Sequence, residues 1–316
     1  MGVIVGAYAA APHDASDLGD REGAFYRALG ALPDIDGLEV SWRGGLHPRG
    51  DDWFTSLIAP GWSLVLTDVA HTGTEVAGNP AYGLASSSAD GRRRAVADVR
   101  MMHDTLRRTN DALGRRAAIA VELHSAPTAL AAGGGAATHH FADSLTAIAG
   151  WDWDGASLLV EHCDAAVIGR PHQKGYLTLG DEVAAIRASG ADIGIVVNWG
   201  RSAIEHRSAD GVVEHIHTAV DAGMLRSLVF SGVSAEAGPY GPGWADAHLP
   251  LRGGHGTPGS LLTDSLVHRA LAAAGPLDWV GAKMGFRPLD APDDQRLAMI
   301  ADAVARIAST MARREF

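Results

Sequence analysis

The 316 residues are 47% hydrophobic and 20% charged, an ordinary composition for a globular protein. The formal charge of −11 disfavours binding to nucleic acid or an anionic membrane, and the one cysteine, Cys163, excludes a disulfide network within the chain. The apolar N-terminus lacks a basic leader, and no run approaches the roughly 18 apolar residues of a membrane span, so we expect a cytoplasmic protein.

Strand-like and helix-like segments alternate along the whole chain. The predicted strands are Gly2–Ala9, Leu38–Trp42, Trp62–Val69, Ala117–Leu123, Leu158–Glu161, Ile193–Asn198, Leu225–Val233 and Leu277–Met284. The predicted helices are Asp17–Leu32 with Asp17 as N-cap, Asp51–Ile58, Asp90–Leu113, His139–Ala149, Leu179–Ser189, one ending near Ala222, Ser260–Ala274 and Asp293–Arg313. Alternation of this kind predicts a parallel sheet, and eight units predict a closed α/β barrel. We therefore expect a single (β/α)8 TIM-barrel domain over residues 1–316.

Four segments are predicted to lack regular structure, namely His71–Ala89, Thr128–Ala137, Arg201–Val213 and Ala235–Gly259. The first and last are long loops that follow strands, so we expect them at the C-terminal mouth of the barrel, where active sites of this fold lie. A Rossmann-type sheet is the alternative architecture. It is disfavoured because the first strand is followed by GAYAAAP and lacks the dinucleotide-binding motif G-x-G-x-x-G.

Side chains alternate between the two faces of a strand, so the large apolar positions that pack on helices identify the inward positions. In the fourth strand, for example, Ile119, Val121 and Leu123 are the outward set. In the fifth strand Glu161 is placed inward, because a lone carboxylate under a helix would have no partner. The predicted inward polar residues are Glu39, Glu122, His124, Glu161, Asn198 and Lys283. One inward charge is explained by a structural ion pair, whereas six polar residues from five strands indicate a functional site.

Polar and aromatic residues also follow strands six to eight: Trp199, Arg201, Trp244, Asp246, His248 and Arg287. Cys163 neighbours His162, but adjacent strand residues face opposite ways, so we interpret Cys163 as a buried thiol. The pairs His139–His140 and His215–His217 resemble metal ligands. Because residues one or two positions apart do not share a helix face, no metal is assigned to either pair.

Several short motifs carry a resemblance to a known family. Glu161 ends the fifth strand, Asp246–Pro250 reads DAHLP before a glycine-rich turn, and the chain contains VELHSAP, VEHCDA and NWGRSAIE. With the eightfold order, these resemble the xylose-isomerase-like TIM barrels of the sugar phosphate isomerase/epimerase superfamily, and most closely a bacterial branch without an assigned function. The resemblance implies carbohydrate metabolism.

The metal site that the resemblance implies is incomplete in this sequence. The superfamily usually binds a divalent metal through Glu, Asp, His and Glu on strands five to eight. Here those positions hold Glu161, Asn198, the segment FSGVS without histidine, and Lys283. We therefore predict no metal at the usual centre and expect Lys283 to pair with Glu161, which loss of Lys283 would leave unpaired. A divalent metal held by Glu161, Asp246 and His248 remains the open alternative.

The leading hypothesis is a sugar or polyol isomerase or epimerase, or a related lyase, that transfers a proton next to a carbonyl group. The predicted catalytic residues are Glu161 or Glu122 as the base, and Lys283, His124 or Arg201 as the electrophile. The predicted substrate contacts are Glu39, His162, Asn198, Trp199, Arg201, Trp244, Asp246, His248 and Arg287.

Two other functions remain open at this stage. A glycoside hydrolase or lyase would use Glu122 and Glu161 as its carboxylate pair. A non-catalytic carbohydrate-binding barrel would keep the polar cluster without turnover. In each case the expected partner is a small carbohydrate-like molecule, and a homo-oligomer is compatible with the sequence.

Overall fold

The computed structural model describes residues 2–12, 18–130 and 135–313. Within these ranges eight strands form a closed barrel in sequence order, and all neighbouring strands are parallel. They are β1 Val3–Val5, β2 Ile35–Ser41, β3 Ser63–Thr67, β4 Ala118–Leu123, β5 Ser157–His162, β6 Ile193–Asn198, β7 Leu225–Phe230 and β8 Trp279–Ala282. The predicted (β/α)8 barrel is confirmed. The predicted N-cap Asp17 lies outside the described residues.

Helices follow the strands and pack against one another around the barrel. They are α1 Leu18–Leu29, α2 Asp51–Thr55, α3 Val69–Gly78, α4 Ala89–Leu113, α5 Thr138–Ala149, α6 Leu179–Ser189, α7 Trp199–His206, α8 Gly211–Asp221, α9 Asp264–Ala274 and α10 Asp293–Ala312. Within residues 2–12, 18–130 and 135–313, none of these helices combines the length and apolarity needed to cross a bilayer.

Two helices lie in segments that were predicted to be irregular. Helix α3 buries Val69 and Thr72, although its glycines and threonines weaken the helical signal in the sequence. Helix α7 starts directly after β6, because the Asn198 side chain accepts the first free backbone N–H groups of the helix. The Ala235–Gly259 segment contains only turns and isolated bridges. It follows β7 and lies at the C-terminal mouth, where the His248 carbonyl accepts the Gly285 N–H.

The barrel interior is filled by one apolar layer below the mouth. That layer consists of Ile4, Val65, Ala120, Leu159, Val196, Val229 and Trp279. The alternating residues of the same strands pack outward against the helices in a larger core. One outward assignment was wrong: Ile119 packs against the inner layer. The reason is a register shift, since Leu64 pairs with Ala118 while the next residue, Val65, pairs with Ala120.

Gly37 is required by the close approach of β2 to β3. A Cβ atom there would lie 2.0 Å from the carbonyl oxygen of Ser63. We expect Gly37→Ala to lower the free energy of unfolding by about 3 kcal/mol, because the backbone of β3 must move. The matched control is Gly73→Ala on α3, whose Cβ would meet no atom within 4 Å. It should be neutral or stabilise by up to about 1 kcal/mol. Equal urea midpoints for the two variants would contradict this packing.

Candidate active site at the barrel mouth

Glu161 is the centre of a buried cluster of charged side chains at the C-terminal mouth. It faces inward from β5 with 0% of its surface exposed. Its Oε1 accepts a hydrogen bond from the Asn198 amide at 2.9 Å and lies 3.5 Å from Nζ of Lys283. Its Oε2 lies 2.6 Å from Nη1 of Arg201 and 3.1 Å from Nε2 of His124. Four of the predicted site residues therefore converge on one carboxylate.

Local backbone structure positions three of these partners. Asn198 ends β6 and caps α7, since its Oδ1 accepts the backbone N–H groups of Gly200 and Arg201. Because the Asn198 oxygen caps the helix, its NH2 group is available to donate to the Glu161 carboxylate. The same cap places Arg201 in the first turn of the helix. His124 follows β4, and its Nδ1 lies 2.6 Å from Oδ1 of Asp68 at the end of β3. The His124 ring is thus held between two carboxylates.

Lys283 joins the central carboxylate to a second one. Its Nζ lies 2.5 Å from Oε1 of Glu39, which faces inward from β2. The Tyr8 hydroxyl donates to the same Glu39 oxygen at 2.8 Å. Lys283 follows β8 and is fully buried, so its ammonium is held between Glu39 and Glu161. This is the Lys283–Glu161 pairing expected from the sequence.

Opposite charges within the cluster keep its buried groups ionised. Burial raises the pKa of Glu161, but the positive charges of Arg201 and Lys283 outweigh it and hold that pKa well below its usual range. Burial lowers the pKa of Lys283, yet Glu161 and Glu39 raise it well above its ordinary value. The pKa of His124 is raised because hydrogen bonds to its two carboxylate partners outweigh burial. These groups are therefore ionised together.

Glu122 differs from the other carboxylates of the cluster. It is fully buried, and among the described residues neither of its oxygens has a hydrogen-bond partner. Burial first, and then the negative charges of Glu161 and Glu39, raise its pKa well above the ordinary value. The Glu122 carboxyl group therefore favours its protonated form.

Asp246 and His248 form the rim of the cluster. Asp246 lies 3.2 Å from Nε of Arg201 and 3.5 Å from Nζ of Lys174, both through Oδ2. Its Oδ1 lies 3.3 Å from Nδ1 of His248, and the same nitrogen is 2.9 Å from the Ser231 hydroxyl. Burial outweighs the charge of Asp246 and lowers the pKa of His248 to about 4, so its imidazole is neutral.

The side chains at the mouth do not fit a divalent metal. The cationic groups of Lys283 and Arg201 lie beside the two oxygens of Glu161. Ammonium and guanidinium groups cannot coordinate a metal, and they repel one. The alternative set of Glu161, Asp246 and His248 does not fit either, because Arg201 contacts both carboxylates.

His162 lies apart from the mouth, although it was predicted to contact substrate. It faces outward from β5, where Nδ1 lies 2.7 Å from Oε2 of Glu182 and Nε2 lies 3.1 Å from Oε2 of Glu205. Burial lowers the pKa of His162, but these two carboxylates raise it to about 10. His162, Glu205 and His215 are also the one group of three in the described part of the chain whose metal-ligating atoms all lie within 4.8 Å of one another.

Three further predicted contacts are not brought into the Glu161 cluster. Trp199 begins α7 and is buried in the outer apolar core, so its ring is a packing element. Trp244 packs against the same core, with the Arg207 guanidinium 5.4 Å from its ring centre. Arg287 stacks near Tyr240 at 5.6 Å. Site residues that were not predicted include Tyr8, Asp68, Lys174 and Ser231; of these, Asp68 and Ser231 had a signal, because each directly follows a strand.

A cavity of about 350 Å³ opens beside the cluster. Its lining includes Tyr8, Glu22, Tyr26, Glu39, His47 and Phe54. Such a volume suits a small organic molecule, and the mixture of aromatic faces with two carboxylates suits a polar one. Glu39 belongs to both the cavity wall and the charged cluster.

We expect Lys283→Met to lower the free energy of unfolding by about 3–5 kcal/mol, since it removes one partner of a buried ion pair. Glu161 would keep Arg201, so the carboxylate left without a cation is Glu39, which corrects the expectation that Glu161 would be unpaired. Lys174→Met is the control, because Lys174 is 25% exposed and Asp246 keeps Arg201; it should cost about 0–1 kcal/mol. Equal losses in chemical unfolding would contradict the assignment.

Solved structures share this fold. One described as L-ribulose 3-epimerase matches with a TM-score of 0.63 and 18% identity, over 99% of this chain and 96% of that chain. A xylose isomerase domain protein from Alicyclobacillus acidocaldarius matches with a TM-score of 0.57 and 15% identity, over 98% of this chain and 99% of that one. These likenesses show the fold and confirm the resemblance to xylose-isomerase-like TIM barrels.

Sequence comparison identifies a closer relationship. An uncharacterized protein of Salmonella typhimurium (strain LT2) is 36% identical over 306 residues, which is 96% of both chains. A family profile matches residues 4–299, nearly the whole barrel. The chain therefore belongs to the family described as Domain of unknown function (DUF4862).

Proposed function

We propose that the chain is an isomerase or epimerase that moves a proton next to the carbonyl group of a small carbohydrate-like substrate. The observation that carries this proposal is the pair of cations, Lys283 and Arg201, beside the inward Glu161. Removing such a proton places negative charge on the carbonyl oxygen, and fixed cations in a water-excluded site stabilise that charge. The fold shared with a structure described as L-ribulose 3-epimerase adds weaker support.

Lys283 is the electrophile we assign to the substrate oxygen. Its Nζ has ion-pair contacts with Glu39 and Glu161, and an ammonium carries three N–H donors. One donor is therefore available to a substrate oxygen without loss of either contact. Glu39 lines the cavity, and its Oε1 lies 2.5 Å from Nζ of Lys283, so one carboxylate joins Lys283 to the wall of that space.

Glu122 is the group we assign to proton transfer. The oxygens of Glu161 are engaged by four partners, whereas those of Glu122 have none among the described residues. Glu122 acts in its ionised form, which burial makes the minor one, and takes the proton; the C–H electron pair forms the C=C bond, and the carbonyl becomes an enolate. Return of a proton to the opposite face of the same carbon gives the epimer and needs a second acid on that face. Return to the neighbouring carbon, with a proton passed from the neighbouring hydroxyl to the enolate oxygen, gives the isomer.

The opposite pKa shifts of Glu122 and Glu161 also favour a second candidate. A glycoside hydrolase uses one protonated and one ionised carboxyl group, and a lyase can use the same pair. Glycosidic hydrolysis breaks a bond to the anomeric carbon and exchanges no C–H hydrogen next to a carbonyl. A binding protein without catalysis would do neither. The three functions therefore differ in one observable reaction.

The test is hydrogen exchange in D2O. Free aldoses, ketoses and keto-sugar acids are incubated with the protein, and NMR follows loss of the C–H signal next to each carbonyl. We expect exchange with at least one compound, and a rate about 10²–10⁴-fold lower for Glu122→Gln. The control is Glu75→Gln, which changes a carboxylate paired with Arg94 on the outer helices. If the protein cleaves glycosides without exchanging a C–H hydrogen, the second candidate is favoured. If Glu122→Gln exchanges at the wild-type rate, Glu122 is not the group that transfers the proton.

The same variant has an independent signature in stability. The folded pKa of Glu122 is raised, so the folded chain keeps a proton that the unfolded chain releases above the ordinary carboxyl pKa. Wild-type stability therefore falls as pH rises through that region, by at most about 1.4 kcal/mol per pH unit for this group. Glu122→Gln lacks this dependence, so its stability relative to wild type should increase from pH 5 to pH 8. A constant difference would mean that Glu122 is ionised in the folded protein.

A further inference from the structure

A second cluster of ligand-type side chains lies behind the barrel wall. His162 faces outward at the end of β5, Glu205 and His206 form the last turn of α7, and His215 lies on the buried face of α8. Exposure is 0% for the His162 side chain, 11% for Glu205 and 9% for His215. None of these four side chains is among the four partners of the Glu161 carboxylate in the described part of the chain, and none serves the proposed proton transfer.

The ligand atoms of these residues converge on one point. Nε2 of His162 lies 3.1 Å from Oε2 of Glu205, and Nε2 of His215 lies 3.4 Å from Oε1 of the same carboxylate. In a tetrahedral zinc site with bonds of about 2.0–2.1 Å, neighbouring ligand atoms are about 3.3 Å apart. The observed separations are of that size, so a small change would seat an ion between them.

In two of the imidazole rings, the nitrogen that points away from Glu205 has a hydrogen-bonding partner, as is usual for metal-binding histidines. Nδ1 of His162 lies 2.7 Å from Oε2 of Glu182, and Nδ1 of His215 lies 2.9 Å from the Ser202 hydroxyl. These contacts fix the rings and leave each Nε2 directed towards Glu205. A carboxylate or hydroxyl behind the ring sets the tautomer and raises the basicity of a ligating histidine.

His206 borders this group of three but is not part of it. Its Nε2 lies 2.9 Å from Nε2 of His215, and two ring nitrogens so close need a proton or a cation between them. Its ring rests on the backbone of Gly211, where a Cβ atom would lie 2.1 Å from Cγ of His206. The His206 side chain is 27% exposed, which gives an ion a route from solvent.

The carboxylates around His162 favour a cation at this point. Nδ1 of His162 faces Glu182 and Nε2 faces Glu205. A divalent ion beside Nε2 would offset the two carboxylate charges, which a buried site favours.

We propose that His162, Glu205 and His215 bind a divalent transition metal, with zinc as the best match. Two imidazoles and one carboxylate suit zinc better than the oxygen-seeking magnesium or calcium. Three protein ligands leave the fourth position of a tetrahedral ion open, and through them the ion ties β5 to α7 and α8. Because Arg201 precedes Glu205 by one helical turn, the ion also fixes the helix that presents Arg201 to Glu161.

The test uses the full chain after removal of metal by a chelator. Zn²⁺ is titrated with calorimetry, and Co²⁺ is titrated with visible spectroscopy, in which intense absorption reports four-coordinate geometry. We expect one equivalent per chain and a higher melting temperature with metal. His215→Gln should lower the affinity at least about 100-fold, and Glu205→Gln, which alters a partly exposed ligand, should also lower it. The matched control is His217→Gln, an exposed histidine on the same helix, which should bind as wild type does.

Three outcomes would overturn the proposal. They are no stoichiometric uptake by the wild-type chain, equal affinity of the Glu205→Gln and His217→Gln variants, and loss of the metal in Glu161→Gln. Loss of the metal in Glu161→Gln would mean that the ion binds at the mouth of the barrel and not at His162, Glu205 and His215. These measurements do not depend on turnover, so they stand apart from the proposed isomerase activity.

Discussion

The arrangement of the rest of the site depends on one carboxylate, Glu161, which is buried at the mouth of the barrel. Transfer of Glu161 from water costs several kcal/mol, and one ion pair at about 4 Å returns only about 4 kcal/mol at an effective dielectric of 20. A single partner would barely balance that cost. The fold supplies two cations, an imidazole and an amide from β4, β6, α7 and the end of β8. Burial and the neighbouring carboxylates raise the pKa of Glu122, whose oxygens have no hydrogen-bond partner among the described residues. Two chemically similar side chains thus differ: the pKa of Glu161 is lowered, and that of Glu122, the proposed acid–base group, is raised.

Helix α7 connects the two clusters, although it has only eight residues. Asn198 caps its first turn and contacts Glu161 with the other end of the same amide, which couples the start of the helix to the active site. Arg201 faces the mouth, while Glu205, one turn later, joins the histidines behind the wall. A shift of α7 would therefore disturb both clusters at once. Anything that fixes the last turn of α7 also helps to fix the Arg201 guanidinium, which gives a distant metal a physical route to the active site.

The barrel and much of its polar interior could be predicted from the sequence, because period-two alternation in buried strands assigns faces reliably. That rule placed Glu39, Glu122 and Lys283 inward, as the structure has them. It failed at Ile119, where a register shift breaks the alternation. Partners from other elements could not be predicted: Asp68 and Tyr8 meet the site only through tertiary packing. The reasoning about His215 and His217 was sound for one helix, yet the partners of His215 come from β5 and α7.

The central claim is that fixed cations, and not a metal, compensate the buried Glu161, while metal chemistry lies behind the wall. Anomalous X-ray diffraction at the zinc absorption edge, on crystals of the full chain grown with Zn²⁺, tests it most directly. The account predicts a strong anomalous peak among His162, Glu205 and His215, with Lys283 and Arg201 still in contact with Glu161. A peak within coordination distance of Glu161, with the Lys283 ammonium displaced from it, would contradict the account.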